Sequence, residues 1–370
     1  MKSILIPFVK LHGLGNDWVA VPADDLHSLR VRAAEKTGFQ SAPALHTMLP
    51  DFARAICDRH TGIGADGLIV ATEPESWREQ AFPKRRTRRR PGRGERGARA
   101  VASDGARAVT RPDESSDAAV RFFNADGSEA EMSGNGIRCA AAFLWVRAAH
   151  KLAFLPRDTA LEAAERLQAL KIETVSGVRS VEAVSGEGPE WVFRVGMGSP
   201  ILDPARIPFG SRDVSAPIVN FPLRLSTTTL PVTVTSMGNP HCSVLVDSFE
   251  DPGSQIDWQT VGREIERHEL FPNRTNVEFV KVLSLQEIEV RFWERGVGVT
   301  QSSGTGSCAA VVACILNRAT GRKVRVSTVA GSLEVAWFAS SASSLSSKAG
   351  EVTLTGPAAL IAQGTYHYCP

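Results

Sequence analysis

Residues Asn124–Ala141 are the part of this 370-residue chain whose residue types are best suited to chemistry. A polar, glycine-punctuated loop ends in Ser-Gly-Asn-Gly at positions 133–136, and an apolar helical pattern follows it. The first N–H groups of a helix have no partner within the helix, and with the helix dipole they favour a carboxylate or phosphate. Taken alone, the stretch predicts either such an anion site or an ordinary serine helix cap.

A second copy of this motif lies in the other half of the chain. Ser-Gly-Thr-Gly at 303–306 is followed by Ser-Cys-Ala-Ala and by another apolar helical pattern. Glu294 precedes Ser303 by nine positions, which is the spacing between Asn124 and Ser133. Two copies indicate an internal duplication, in which two helix starts could face each other across a cleft. That arrangement suits a small anionic ligand.

The patterns around these motifs predict strands wrapped around two helices. Gly15-Asn16 in the first half is echoed by Gly238-Asn239 in the second, each after an alternating, strand-like segment. The helical pattern from about Gly136 to His150 and its counterpart after Gly306 are apolar, so we expect both helices to be buried. Each half is therefore expected to be a sheet around one apolar helix.

Length and composition fit a globular protein with room for two domains, with 43% hydrophobic and 22% charged residues. No apolar run approaches the roughly 18 residues of a membrane span, and the one in Met1–Pro7 is too short for a secretory signal. The six cysteines form no Cys-x-x-Cys pair, and the eight histidines show no His-x-x-x-His spacing. We therefore expect a cytoplasmic protein with buried free thiols, no metal and no membrane association.

A basic tract at Lys84–Arg99 holds nine Lys or Arg residues and one Glu in a chain whose net charge is +2. Such a tract can bind nucleic acid. This one is rich in proline and glycine and has no interleaved aromatic residues, which favours a solvated, disordered insertion over residues 77–116. No nucleic-acid partner is expected.

Taken together, the motifs of the chain resemble those of the diaminopimelate epimerase family, over most of the chain apart from 77–116 and 340–348. This family inverts a Cα centre without a cofactor, in the biosynthesis of lysine and cell-wall precursors. The motifs that carry the resemblance, in the family's order, are His12–Asp17, Gly62–Gly67, Asn124–Glu129, Gly238–His241, Asn276 and Glu294–Gly296.

The resemblance implies an α/β (α+β) fold of two pseudo-symmetric domains, each a barrel-like, mostly antiparallel sheet wrapped around a central helix. The active site would lie in the interdomain cleft. Residues 1–197 with 355–370 would form the N-terminal domain, and residues 198–354 the C-terminal domain. The family also suggests a homodimer, diaminopimelate as substrate, and no cofactor.

Site residues are carried over from the family by position. Ser133, Ser303, His241 and Glu294 match the catalytic positions, with His241 and Glu294 flanking the catalytic pair. The positions that match the substrate-binding set are Asn16, Asn124, Gly134, Asn135, Asn239, Asn276, Glu294, Arg295, Gly304 and Thr305, of which the 134–135 and 304–305 pairs would offer backbone donors to a carboxylate.

The chain departs from the family at the reacting groups. The family uses two cysteines, one as thiolate and one as thiol, whereas Ser133 and Ser303 occupy both positions here. An alcohol is a much weaker acid than a thiol, whose reference pKa is about 8.5. Cys139 and Cys308 lie one to two helical turns further on and are expected to face the core.

Three interpretations of the serine pair follow. The chain is a working isomerase in which the serines act through His241 or Glu294, or in which another group supplies the base. In the second, it is an epimerase-fold protein that binds an amino acid without turnover. In the third, the two serines are introduced Cys→Ser substitutions. Apart from the serine pair, an isomerase that acts on a different amino acid is the remaining alternative.

Overall fold

The computed structural model describes residues 3–26, 29, 45–72, 116–149, 169–187, 189–211, 214–249, 257–338 and 350–369. The helices within these ranges are α1 Leu45–Cys57, α2 Gly134–Ala149, α3 Trp258–Glu266 and α4 Gly304–Leu316, with short 3-10 turns at Asp24–Leu26 and Pro204–Arg206. The strands are β1 Ile4–Gly13, β2 Asn16–Pro22, β3 Gly67–Thr72, β4 Ala118–Asn124, β5 Glu129–Ala130, β6 Ala169–Thr174, β7 Gly177–Glu187, β8 Glu190–Gly198, β9 Ile218–Arg224, β10 Thr229–Ser236, β11 Pro240–Leu245, β12 Asn276–Ser284, β13 Glu287–Glu294, β14 Gly298–Thr300, β15 Lys323–Thr328, β16 Gly331–Trp337 and β17 Val352–Tyr368.

The two halves of the chain repeat one order of strand pairing. In the first half β2 is parallel to β3 and β4 to β6, while β1–β2, β3–β4, β6–β7 and β7–β8 are antiparallel. In the second half β11 is parallel to β12 and β13 to β15, while β10–β11, β12–β13, β15–β16 and β16–β17 are antiparallel. Gly15-Asn16 and Gly238-Asn239 lie at matching turns, β1–β2 and β10–β11. The predicted duplication and α+β fold are confirmed.

The last strand joins the two halves. β17 pairs with β8 over Val352–Ala359 and with β1 over Ala359–Tyr368, which closes β1, β2, β3, β4, β6, β7, β8 and β17 into an eight-stranded barrel. Its first residues, Val352–Thr355, also pair with β16 of the second half. The boundary between residues 354 and 355 stays a prediction, since one strand serves both sheets there.

Helices α2 and α4 form the centres of the two halves. A helix that is apolar on all sides must be buried, and every residue of α4 from Cys308 to Cys314 has no exposed surface. α2 packs against β1, β2, β8 and β17, and α4 against β10, β11, β12 and β16. Cys139 and Cys308 lie in this core, as expected, and burial raises the pKa of each thiol to about 12.

Some segments depart from the sequence-based expectations. The first central helix begins at Gly134 rather than near Gly136, because Ser133 caps it. Strand β9 at Ile218–Arg224 has no clear alternating pattern and was not predicted.

The insertion predicted for residues 77–116, including the basic tract, lies outside the described residues except for Ser116. No helix of the described residues is long and apolar enough to cross a membrane.

The starts of the two central helices touch each other. A Cβ placed on Gly134 would lie 2.8 Å from the Cα of Gly304, and one placed on Gly304 would lie 2.7 Å from the Cα of Gly134. Real Cβ atoms do not approach a backbone so closely, so both positions require glycine for a steric reason. The duplicated motif therefore brings its two copies into direct backbone contact.

Replacing Gly134 by alanine should lower the free energy of unfolding by about 1–3 kcal/mol, the usual cost of overpacking, despite the better helix propensity of alanine. Urea unfolding measures the change. Gly210→Ala is the matched control, because its Cβ would meet Leu270 at an ordinary 3.5 Å. Equal stability of the two variants would contradict the close contact.

Candidate active site

Each duplicated serine caps the helix that follows it. The Ser133 Oγ accepts the N–H of Gly136 at 2.9 Å, and the Ser303 Oγ accepts the N–H of Gly306 at 3.3 Å. The serine carbonyl oxygens accept the next N–H groups in turn, at 2.9 and 3.0 Å. Both hydroxyl oxygens are thereby held at the positive ends of helix dipoles.

Four backbone N–H groups at these helix starts are left over. In the described part of the chain, no hydrogen-bond acceptor is found for the N–H groups of Gly134, Asn135, Gly304 and Thr305. All four residues line a cleft of about 870 Å³ between the two halves. The serine caps are therefore confirmed in both copies. The anion site stays a prediction, for which the paired helix starts have the required N–H groups.

Twelve of the thirteen predicted site residues line this cleft. They are Asn16, Asn124, Ser133, Gly134, Asn135, Asn239, Asn276, Glu294, Arg295, Ser303, Gly304 and Thr305. The exception is His241, predicted to flank the catalytic pair, whose side chain is completely buried behind Asn239. Nε2 of its ring lies 2.9 Å from Asn239 Oδ1, so Asn239 stands between the buried ring and the cleft.

The duplication is chemically unequal at the ends of β4 and β13. Their last residues are Asn124 and Glu294, each nine positions before a capping serine. Burial raises the pKa of the Glu294 carboxyl and nearby Glu278 adds to the rise, while a hydrogen bond from the Ser303 hydroxyl and the neighbouring His241 partly offset it. The Asn124 amide cannot ionise, and its Nδ2 donates to Ser128 Oγ at 2.9 Å. The second half therefore supplies a proton acceptor that the first half lacks at the matching position.

The predicted substrate-binding amides also make hydrogen bonds within the protein, and Asn16 and Asn276 are examples. Asn16 donates from Nδ2 to Asp66 at 2.8 Å and accepts from the Trp18 indole at 2.7 Å. Asn276 donates from Nδ2 to a carbonyl at the start of β11 at 3.1 Å and accepts the backbone N–H of Arg295 at 2.9 Å. Both side chains line the cleft, and both brace the loops that form its wall.

An ionic cluster supports the cleft wall of the first half and was not identified from the sequence as a site feature. Asp17 contacts Lys10 at 3.0 Å and Arg59 at 2.8 Å, and Arg59 also contacts Asp66 at 2.8 Å. Burial alone would raise the pKa of Asp17, but the hydrogen bonds from Arg59 and Lys10 outweigh it and hold the pKa below its usual value. Within the described ranges, no group of three or more His, Cys, Asp or Glu side chains is placed to hold a metal ion.

Arg138 is a further residue that the sequence analysis did not select. It has no exposed surface, and it donates to the carbonyls of Pro357 and Gly134 and to Asn135 Oδ1 at 2.8–3.0 Å. No carboxylate lies within salt-bridge distance among the described residues, and burial lowers its pKa to about 10. A charged residue inside an otherwise apolar helix was the available signal. Its positive charge lies directly behind the paired helix starts.

Comparison with known proteins identifies one family. A family model described as "Diaminopimelate epimerase" matches residues 94–202 and 233–355. A diaminopimelate epimerase of Pelotomaculum thermopropionicum is 35% identical over 361 residues, covering 98% of this chain and 99% of that protein. One from Moorella thermoacetica is 35% identical over 359 residues, covering 97% of this chain and 98% of that protein.

Solved structures with the same fold have far lower sequence identity. A methylitaconate-delta-isomerase matches with a TM-score of 0.56 and 13% identity, covering 99% of this chain and 96% of that one. A hydroxyproline epimerase from Agrobacterium vitis, solved with bound trans-4-hydroxy-L-proline, matches with a TM-score of 0.55 and 12% identity, covering 98% and 93%. These likenesses show the fold.

Asp17→Asn should destabilise the folded state at pH 7 by at least about 1 kcal/mol, because Lys10 and Arg59 lose their shared carboxylate. A folded-state pKa below the unfolded value means that the wild type loses this advantage as pH falls through the folded pKa of Asp17. The gap between wild type and variant should therefore shrink below about pH 4, the reference pKa of Asp. Urea unfolding at pH 7 and pH 3.5 measures it, and a constant gap would contradict the assignment.

Proposed function

The chain belongs to the diaminopimelate epimerase family, and on that premise we propose that it interconverts L,L- and meso-diaminopimelate. The reaction moves a proton at Cα and uses no cofactor. It belongs to the biosynthesis of lysine and of cell-wall precursors. The observation that carries the proposal is the set of four N–H groups, where α2 and α4 meet, that have no acceptor among the described residues.

The proposed ligand position follows from charge. The carboxylate next to the reacting Cα accepts hydrogen bonds from the N–H groups of Gly134, Asn135, Gly304 and Thr305. Removing the Cα proton places further negative charge on that carboxylate, and the same donors stabilise it. The buried charge of Arg138, which has no carboxylate partner in the described chain, supports the same anion.

The proton moves through the two serines in this proposal. Ser303 Oγ takes the Cα proton while its own proton passes to the Glu294 carboxylate, and the C–H electron pair moves onto the ligand carboxylate. Ser133 then gives its hydroxyl proton to the opposite face of Cα, and the proton held by Glu294 is returned to Ser133 through water. Glu294 suits the acceptor role, because a raised pKa brings a carboxyl closer to the operating pH.

The serine pair makes this reaction slow. A hydroxyl yields its proton far less readily than a thiol, and Ser133 has the amide of Asn124 where Ser303 has a carboxylate. This inequality favours a second candidate function, in which the cleft holds an amino acid with little or no turnover. Calorimetry with diaminopimelate separates binding from turnover, and absence of binding would count against both functions.

Assembly and location form the remaining part of the proposal. We propose a cytoplasmic homodimer that binds neither nucleic acid nor membrane. Support for self-association comes from Leu5 and Ile361, apolar side chains of the paired strands β1 and β17 that are 57% and 50% exposed. Analytical ultracentrifugation tests it, and a monomer at micromolar concentration would contradict it.

Introducing cysteine at both serine positions should increase the rate, because the rest of the active site is already in place. The double variant Ser133→Cys plus Ser303→Cys should form meso-diaminopimelate from the L,L-isomer at least about a hundredfold faster than the unmodified chain, the usual scale of one acid–base group. Chiral chromatography of the product measures the rate. Each single variant is a control and should fall well below the double variant, because the reaction uses both faces of Cα. Equal rates for the unmodified chain and the double variant would refute the limiting role of the serines.

The pH profile of the double-cysteine variant tests Glu294. The carboxyl accepts a proton only when ionised, so the rate should fall as pH drops through its pKa, which is raised above that of an ordinary glutamate. Adding Glu294→Gln should remove that acidic limb and lower the rate by roughly 10²–10⁴-fold. Glu289→Gln on the same strand is the control, because its carboxylate pairs with Arg291 away from the cleft. A limb that survives Glu294→Gln would assign the base elsewhere.

A further inference from the structure

Glu278 is a buried carboxylate one layer behind the cleft, on β12, with 1% of its surface exposed. The strand register places it opposite Ser243 of β11. Side chains two positions apart on a strand share a face, so His241 lies beside Ser243 there. Glu278 Oε1 lies 2.6 Å from His241 Nδ1, and Oε2 accepts the Ser243 hydroxyl at 3.1 Å.

A carboxylate is buried at this depth only with partners for its oxygens, and Glu278 has one for each. Glu278 is not among the residues that line the cleft. Its hydrogen-bonded route to the cleft wall therefore passes through His241, whose ring is also fully buried. The other carboxylate that acts on this ring is Glu294, on β13.

The far side of the imidazole ring leads to the cleft. His241 Nε2 lies 2.9 Å from Asn239 Oδ1, and Asn239 Nδ2 lies 3.4 Å from Thr305 Oγ1. Asn239 and Thr305 both line the cleft, and Thr305 lies in the first turn of α4. With its oxygen turned toward the buried ring, the amide presents its NH2 group to a ligand.

This amide orientation requires a proton on Nε2. An ionised Glu278 accepts a hydrogen bond from Nδ1–H, so a ring that also donates from Nε2 is doubly protonated beside a carboxylate. A protonated Glu278 instead donates to Nδ1 of a neutral ring that carries its proton on Nε2. These two protonation states of the His241–Glu278 pair have the same net charge. In both, the Nε2–H group donates to Asn239 Oδ1. If Nδ1 has no partner, a neutral His241 ring can carry its single proton on Nδ1. Nε2 is then an acceptor, and the Asn239 amide can rotate to place its NH2 group toward the ring.

We propose that Glu278 is a positioning residue of the active site: through His241 it fixes the Asn239 amide with its oxygen inward and its NH2 group facing the cleft. The cleft wall then offers a hydrogen-bond donor at that point. It favours a ligand group with an acceptor oxygen, such as a carboxylate, over an ammonium group.

The ligand-free protein gives the first test. Long-range ¹H–¹⁵N correlation spectra of ¹⁵N-histidine-labelled protein, with the signals assigned against a His241→Gln variant, report the proton on each ring nitrogen. The expected result is a protonated Nε2 at His241 in the unmodified chain. An unprotonated Nε2 would overturn the proposal, whatever the protein binds.

Ligand affinity gives the second test and rests on the proposed function for its probe, L,L-diaminopimelate. Calorimetry should show that Glu278→Leu weakens binding about tenfold or more, the scale of one hydrogen bond to a charged group. Glu278→Gln should keep most of the affinity, because its amide NH2 can donate to Nδ1. If Glu278→Leu does not fold, Glu278→Asp, with its shorter side chain, takes its place.

A double-mutant cycle separates positioning from a general structural role. In an Asn239→Ala background, Glu278→Leu should cause no further loss of affinity, because the amide through which it acts is gone. An equal loss in both backgrounds would contradict the proposal. If diaminopimelate binds none of the proteins, the proposed function fails, while the histidine spectra still decide the role of Glu278.

Discussion

The contact between Gly134 and Gly304 is the constraint on which the rest of the structure depends. Two helix starts can meet at their backbones only where both residues lack a side chain and both helices run inside their own sheets. The meeting concentrates unpaired N–H groups and two positive dipole ends at one place. A carboxylate is the natural partner of that place, so the shape of the fold leads directly to the class of ligand.

Around this symmetric contact, the charged residues are arranged asymmetrically. Arg138 lies behind the start of α2 without a carboxylate partner in the described chain, whereas the buried His241–Glu278 pair lies in the second half, beside α4. Glu294 ends one strand, and the amide of Asn124 ends its counterpart. The duplicated backbone thus offers N–H groups from both sides, whereas a carboxylate ends the strand before the serine in the second half alone. In the proposed reaction this inequality sets which face of Cα loses its proton more readily.

The sequence predicted features that depend on neighbouring residues, but not contacts between residues that are far apart in the chain. Three local patterns predicted the two halves and the lining of the cleft: the repeated Ser-Gly-x-Gly motif, the strand-like alternation around it and the apolar helices. Each is formed by residues that are close together in the sequence. The burial of His241 and its bond to Glu278 depend on the register of β11 and β12, and the Lys10–Asp17–Arg59 cluster depends on a turn that brings distant positions together. Such contacts leave only a weak trace in one sequence, a charged residue in an apolar run.

The claim that the cleft presents Cα between two hydroxyls, and that the hydroxyls limit the reaction, is tested most directly by solvent exchange. The measurement follows loss of the Cα proton signal of L,L-diaminopimelate in deuterated water by ¹H nuclear magnetic resonance, with the unmodified chain as catalyst. The account predicts slow exchange, at a small fraction of the rate of the double-cysteine variant. Exchange as fast as that of the variant would contradict it.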